Sequence, residues 1–244
     1  MKVAYEGTAY AGFQIQPDLP TIQGELERAV GQLTGQRVSV LGSGRTDAGV
    51  HANGQVVQML VDSRIPLERW PLAMNALLPE DIRVMKAAEV PPGFHVRHDV
   101  IKKTYLYRVN NCPHQDPFLR RISFHYPRRL DQSRMEAAAR MLEGTHDFTS
   151  FCSVRTAVEN RVRTIYRLEP EQASEGFLFW VTGNGFLYNM VRILVGTLLE
   201  VGTGKRDPGE MTTVLKSRDR TRAGMTAPAH GLTMWQVEYE RDYF

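Results

Sequence analysis

Cysteine is scarce: the 244 residues include two, Cys112 and Cys152, in no metal-ligand spacing. Neither a disulfide scaffold nor a zinc site is expected from that pair, and no metal or redox chemistry follows from it. Long hydrophobic runs are missing as well. No uninterrupted apolar stretch approaches the roughly 20 residues a membrane span needs, and the opening MKVAYEGTAY lacks the apolar core of a signal peptide. The expectation is a cytoplasmic chain with no membrane association. Charge of one sign is lacking overall, with a formal net charge of +3, and an apolar fraction of 42% is that of an ordinary soluble globule.

The charge that is present is unevenly placed. Residues 1–100 hold 9 Lys/Arg against 11 Asp/Glu, residues 101–244 hold 21 against 16, and arginine supplies most of the excess. Arginine forks match phosphate oxygens and stack on bases, so RR at 120–121, RR at 128–129 and KSRDRTR at 216–222 could line a nucleic-acid groove; a solvated arginine-rich surface is the plainer alternative.

Periodicity alternates between strand and helix with no low-complexity linker. TIQGELERAVGQLTG (21–35) has apolar residues at helical spacing and ends on a glycine suited to a left-handed cap. LDQSRMEAAARMLEG (130–144) repeats the pattern, with Asp131 placed to cap its start. The two endings align at an offset of about 109 residues, a hint of two similar α+β halves. Strands are expected at 2–7, 37–43, 55–62, 83–90, 102–109, 121–126, 163–170, 176–183 and 234–240. A cleft between two such halves is where a site drawn from distant segments forms.

The stretch GSGRTDAGVH (42–51) lies between two of those strands. It does not fit a phosphate cradle: a dinucleotide fingerprint wants a third glycine where Asp47 stands, and a P-loop wants Gly-Lys-Ser/Thr where this chain has Gly-Val-His. A tight turn in which Asp47 bonds its own backbone accounts for the pattern. So does a carboxylate held at a loop apex for nucleophilic or base chemistry, provided a cation keeps it ionised.

GFLYNMVRILVGTLLEVG (185–202) offers a cation. Leu187, Met190, Val191, Leu194, Leu198 and Val201 fall at helical spacing, and Arg192 interrupts them. A guanidinium in such a helix snorkels to water or pairs with an acid; if the acid is Asp47, the carboxyl pKa falls and the group stays charged at neutral pH. On the strand KKTYLYRV (102–109), Lys103, Tyr105 and Tyr107 share a face, which suits either a core or a base stacked beside a cation.

The chain resembles the TruA-type tRNA pseudouridine synthases over nearly its whole length. The resemblance rests on GRTDAGVH (44–51), FHVRHDVIKKTYLY (94–107) and FLYNMVRILVGTLLEVG (186–202), with YEGTAYAGFQIQ, HDFTSF and TAPAHGLTMWQVEY agreeing as well. Mild departures are Glu6-Gly7-Thr8 and Gly12-Phe13-Gln14, where the family usually has Asp-Gly-Thr and Gly-Trp-Gln. The resemblance implies an α+β pseudouridine synthase fold of two similar ferredoxin-like halves, 1–100 and 101–244, sharing a mainly antiparallel sheet with a central basic cleft. It implies a homodimer that binds the tRNA anticodon stem-loop and isomerises uridine to pseudouridine at tRNA positions 38, 39 and 40, with no metal and no organic cofactor. By motif position Asp47 is the catalytic aspartate, Tyr105 the tyrosine packed on the target base and a candidate for removing its C5 proton, and Arg192 the partner of Asp47. Arg45 enters the RNA helix, and His51, Arg97 and Lys103 join it as RNA contacts.

The implied chemistry is consistent with a lone carboxylate. Hydrolytic glycosidases use a carboxylate pair because water must be activated; here the leaving base is also the incoming nucleophile, and water has to be excluded. Asp47 either attacks the anomeric carbon to give an ester or takes the C2′ proton to give a glycal. Two rivals remain at this stage: a non-catalytic RNA-binding protein using the same basic surface, and a nucleotide-binding enzyme built on the glycine turn.

Overall fold

A computed structural model describes residues 1–154, 156 and 158–244. The elements in chain order are β1 (Lys2–Tyr5), α1 (Ile22–Thr34), β2 (Leu41–Gly42), β3 (His51–Gln58), α2 (Trp70–Asn75), β4 (Ile82–Lys86), β5 (Val100–Asn110), β6 (Phe124–His125), α3 (Gln132–Arg140), β7 (Gly144–Asp147), β8 (Val162–Ala173), β9 (Gly176–Gly183), α4 (Met190–Gly202), α5 (Glu210–Ser217) and β10 (Leu232–Tyr239). The chain divides into two compact units, Met1–Ile101 with Thr233–Phe244, and Lys102–Leu232. The C-terminal residues that the sequence reading assigned to the second half therefore count with the first.

In the first unit the strands run in the order β4-β1-β3-β10. β1 is antiparallel to both β3 and β4, β2 is antiparallel to β3, and β10 runs parallel to β3. Helix α1 begins where Thr21 accepts a hydrogen bond from the Gly24 N–H and ends where Gly35 takes φ +70°. Its buried side chains Ile22, Leu26, Ala29 and Val30 recur at helical spacing, so one stripe faces the core and the rest faces solvent.

In the second unit the order is β5-β9-β8-β7, all antiparallel, with β6 parallel to the end of β5. β9 alternates strictly, with Phe177, Phe179 and Val181 buried, because successive side chains point to opposite faces of a sheet. α4 is buried almost all round: Ile193, Leu194, Val195, Leu198, Leu199 and Val201 are fully enclosed, each adding roughly 1.5–3 kcal/mol relative to exposure. α3 is capped by Asp131, which accepts the Arg134 N–H at 3.1 Å as its sequence position predicted.

The α+β class and the mainly antiparallel strands agree with expectation, and several boundaries do not. The strand expected at 37–43 is reduced to Leu41–Gly42, because the residues before it are held by other groups: Val40 N–H donates to the Glu27 carboxylate. The strand expected at 55–62 lies at 51–58, starting on the His51 that closes the glycine stretch. The helix expected over 185–202 begins only at Met190, since Asn189 adopts φ +61°, a conformation no right-handed helix contains. No helix among the described residues is long and apolar enough to cross a membrane.

Candidate active site

The loop 43–50 leaves β2, carries Asp47 and enters β3, and bonds from Gln55 and Tyr5 fix its path. Gln55 on β3 bonds at both ends of its amide: Oε1 accepts the Ser43 hydroxyl at 2.6 Å and Nε2 donates to the Gly44 carbonyl at 2.8 Å. The Tyr5 hydroxyl and Thr46 Oγ1 lie 2.8 Å apart, both buried. Burial pushes the Tyr5 phenol up to about 12, although its bonds to Thr46 and Gln55 act the other way, so it keeps its proton in any ordinary buffer.

The backbone is pinned as tightly. Phe13 N–H donates to the Thr46 carbonyl at 3.0 Å, and Val50 N–H closes a turn onto the Asp47 carbonyl at 3.1 Å. Gly49 takes φ +75° at the third position of that turn, the left-handed conformation that type II turns reserve for glycine. Gly7 and Gly12 lie so close beneath the loop that an added Cβ would stand 2.0 Å from the Val50 carbonyl oxygen and 2.7 Å from that of Thr46. Asp47 is thus half-buried on a loop whose neighbours on both sides are immobilised. The N-terminal segment YEGTAYAGFQ, which sequence reading left without a task, is the floor of this loop.

Of the expected RNA contacts in this unit, Arg45 is exposed beside Asp47, and Arg97 is exposed with Nη2 3.5 Å from the Gly42 carbonyl. His51 differs from these two in its burial. Only 4% exposed, it accepts the Gly7 N–H through Nδ1 at 2.9 Å with the Glu6 carboxylate 3.8 Å away, so its ring has almost no surface to offer a nucleic acid.

In the second unit Tyr105 and Tyr107 lie on β5 opposite Val181 and Phe179 of β9. The Tyr105 ring is buried and meets the edge of Phe186 with centroids 5.1 Å apart and planes at 86°. Tyr107 is fully enclosed, its hydroxyl donating to the Pro228 carbonyl at 2.8 Å, and burial raises its pKa against a smaller opposing pull from the Arg192 charge. Lys103 is half-buried opposite Gly183.

Arg192, half-buried on the first turn of α4, is latched to the segment 223–231. Its Nε donates to the Ala227 carbonyl at 2.7 Å, and Ala227 N–H returns to the Arg192 carbonyl at 3.1 Å. Nη1 donates to Asn189 Oδ1 at 2.9 Å. Within its own unit Arg192 is thus bonded to a carbonyl and to a side-chain amide. The segment can approach α4 because Gly196 lacks a side chain: a Cβ there would meet the Met225 carbonyl oxygen at 1.9 Å. TAPAHG, recognised in the sequence only as agreeing with the family pattern, supplies both carbonyls that orient Arg192 and Tyr107.

Asp47, Arg45, His51 and Arg97 therefore belong to the first unit, and Lys103, Tyr105 and Arg192 to the second. No group of three His, Cys, Asp or Glu side chains among the described residues could hold a metal ion. Chemically the first unit offers a fixed carboxylate next to an exposed guanidinium, and the second offers a tyrosine and an arginine on rigid elements.

A family model described as a tRNA pseudouridine synthase matches residues 1–99 and 138–240. Among curated proteins, the tRNA pseudouridine synthase A of Bacillus pumilus (strain SAFR-032) is 51% identical over 240 residues, spanning 98% of this chain and 97% of its own. Those of Brevibacillus brevis (strain 47) and Bacillus subtilis (strain 168) are 52% identical over 239 residues and 48% identical over 240, each covering at least 97% of both chains. Among solved structures, a chain titled as part of a Cbf5-Nop10-Gar1 complex aligns over 98% of this chain and 59% of its own at 12% identity and a TM-score of 0.40, too loose a likeness to support an inference.

Proposed function

Since the chain belongs to the tRNA pseudouridine synthase family, we propose that Asp47 is the carboxylate that acts at the ribose of the uridine it isomerises. The reaction itself, uridine to pseudouridine in tRNA, is that of the family and of this chain. It breaks the bond between ribose C1′ and N1, forms one between C1′ and C5, moves a proton off C5 and puts one on N1. Atoms and electrons balance within the substrate, so the exchange calls for no external oxidant or reductant.

The observation that carries the proposal is the clamp around residues 43–50. An ionised side chain working at a sugar carbon has to be held close to its productive position, since a misplacement of about 1 Å costs on the order of a hundredfold in rate. Of the acids on the chain, Asp47 is the one whose loop is fixed by Tyr5, Gln55, Gly7 and Gly12 together. To Arg192 we assign the role of favouring the charged form of Asp47, and to Tyr105, rigid against Phe186, that of packing on the base and keeping water from the sugar. Arg45 fills the gap left when the uridine flips out, offsetting part of an unstacking cost of a few kcal/mol. Lys103 and Arg97 hold phosphates on either side. The substrate region is the anticodon stem-loop, at positions 38, 39 and 40, and the enzyme works as a homodimer in the cytoplasm.

The test is release of tritium from C5-tritiated tRNA transcripts by the wild type and by Asp47→Asn, after both have been shown to fold and to bind. Release by the wild type alone, mapped to the anticodon stem-loop, is expected. Normal turnover by Asp47→Asn overturns the role of the carboxylate, and tight binding with no release by either protein leaves the RNA-binding reading in its place.

A further inference from the structure

Asn189 stands at the N-cap position of α4, and it does not cap. Asparagine is among the side chains that best satisfy the open N–H groups of a helix start, normally from an extended backbone. Here the backbone is left-handed, φ +61° and ψ +7°, and the side chain accepts no backbone N–H of the first turn. The carbonyl of Asn189 still takes the first helical bond, from the Ile193 N–H at 3.0 Å, so the helix begins where it should while its natural cap is turned elsewhere.

It is turned to Arg192. A guanidinium only donates, so the group facing Nη1 at 2.9 Å must be the amide oxygen of Asn189. Together with the bond from Nε to Ala227 at 2.7 Å, two different nitrogens of the planar guanidinium are fixed to two different segments. One bond would leave the fork free to rotate about it; two set its plane. Residues three apart share a helix face, so the contact needs no distortion of α4 beyond the residue that precedes it.

We infer that Asn189 is a positioning residue for the isomerisation: it gives up capping α4 in order to orient the Arg192 guanidinium. The inference rests on the reading that Arg192 supports Asp47 at the ribose. The left-handed backbone belongs to the same device, because it aims a short side chain forward along the first turn of the helix.

Asn189→Gly tests it, since glycine adopts the left-handed conformation without strain and removes only the amide. The expected result is a kcat lowered roughly tenfold, with KM, tRNA binding and thermal midpoint close to wild type. Arg192→Lys keeps the charge and loses the fork; adding Asn189→Gly to it should lower kcat no further, because the amide then has nothing to orient. A further loss on adding Asn189→Gly to Arg192→Lys, as large as Asn189→Gly causes in the wild type, overturns the positioning role, as does wild-type kcat in Asn189→Gly beside an impaired Arg192→Lys. Wild-type kcat in Arg192→Lys and Asn189→Gly alike removes the reading of Arg192 and the inference with it. A lowered thermal midpoint with unchanged kcat assigns Asn189 to stability alone.

Discussion

The Tyr5 hydroxyl and Thr46 Oγ1, 41 positions apart in sequence, meet at 2.8 Å in the interior, one residue before the carboxylate of Asp47. The bond joins β1 to the loop that the proposed chemistry depends on, so its loss should register in activity as well as in stability. Tyr5→Phe leaves the Thr46 hydroxyl buried without that partner. It is expected to lower unfolding free energy by about 1–2 kcal/mol in urea titrations and to reduce kcat more than KM. An equal stability loss with unchanged turnover would separate the bond from the site.

Glycines of the chain with left-handed φ should respond very differently to one added methyl. Gly12→Ala places a Cβ 2.7 Å from the Thr46 carbonyl oxygen at φ +103°, and should cost at least about 2 kcal/mol and most of the activity. Gly35→Ala, at φ +70° with nothing within 4 Å, should cost only about 1 kcal/mol and leave turnover intact. Comparable losses in the two variants would mean that strain, not the contact with the Asp47 loop, governs Gly12.

Replacing a helix-interior glycine by alanine ordinarily stabilises a helix by roughly 0.5–1 kcal/mol. Gly196→Ala should do the reverse, because its Cβ would lie 1.9 Å from the Met225 carbonyl oxygen. The segment 223–231 must back away, and with it the Ala227 carbonyl that holds Arg192. A lower thermal midpoint together with reduced tritium release is the expected outcome, and a more stable, fully active Gly196→Ala rules this packing out.

Alkaline pH should unfold the protein through its buried phenols. Burial holds the Tyr5 pKa near 12 and raises that of Tyr107 as well, both above the ordinary value of 10.0. A group whose folded pKa lies above its unfolded one stabilises fully below the unfolded value and loses that contribution as pH climbs through the folded one. For Tyr5 the loss is about 3 kcal/mol between pH 10 and 12. Tyrosinate absorbance from these residues should therefore appear together with loss of circular dichroism, and Tyr5→Phe should flatten the fall in stability above pH 10.

How far the site could be read from sequence differs between its parts. Asp47 and Arg192 stand out in the sequence as residue types out of keeping with their surroundings, an acid where a phosphate loop wants glycine and a guanidinium on an otherwise apolar helix, whereas Tyr105 is singled out by the family resemblance. His51 is ambiguous in sequence for a related reason. A histidine at the end of a glycine-rich motif suits both a ligand contact and a core position, and only the Gly7 N–H on its Nδ1 decides for the core. Tyr5, Gln55, Asn189 and Ala227 carried no such signal. Tyr5 and Ala227 act through bonds to distant residues, Asn189 through a bond that its capping position does not announce, and Ala227 acts through its backbone alone.

Sequence by itself determined what short-range physics can dictate. Thr21, Gly35 and Asp131 mark helix ends through bonds and dihedrals made within a few residues, and the alternation of GFLFWVTG places β9 to the residue because period-two burial is local. Tertiary structure alone decided which backbone lies close enough to another to exclude a side chain. Gly7 and Gly12 form a floor only because the loop 43–50 lies on them, and Gly196 admits the segment carrying Ala227 only because the two are folded together. The start of α4 draws on both: the left-handed Asn189 and its bond to Arg192 three residues on are local, while the Ala227 carbonyl that holds the same guanidinium comes from a distant segment.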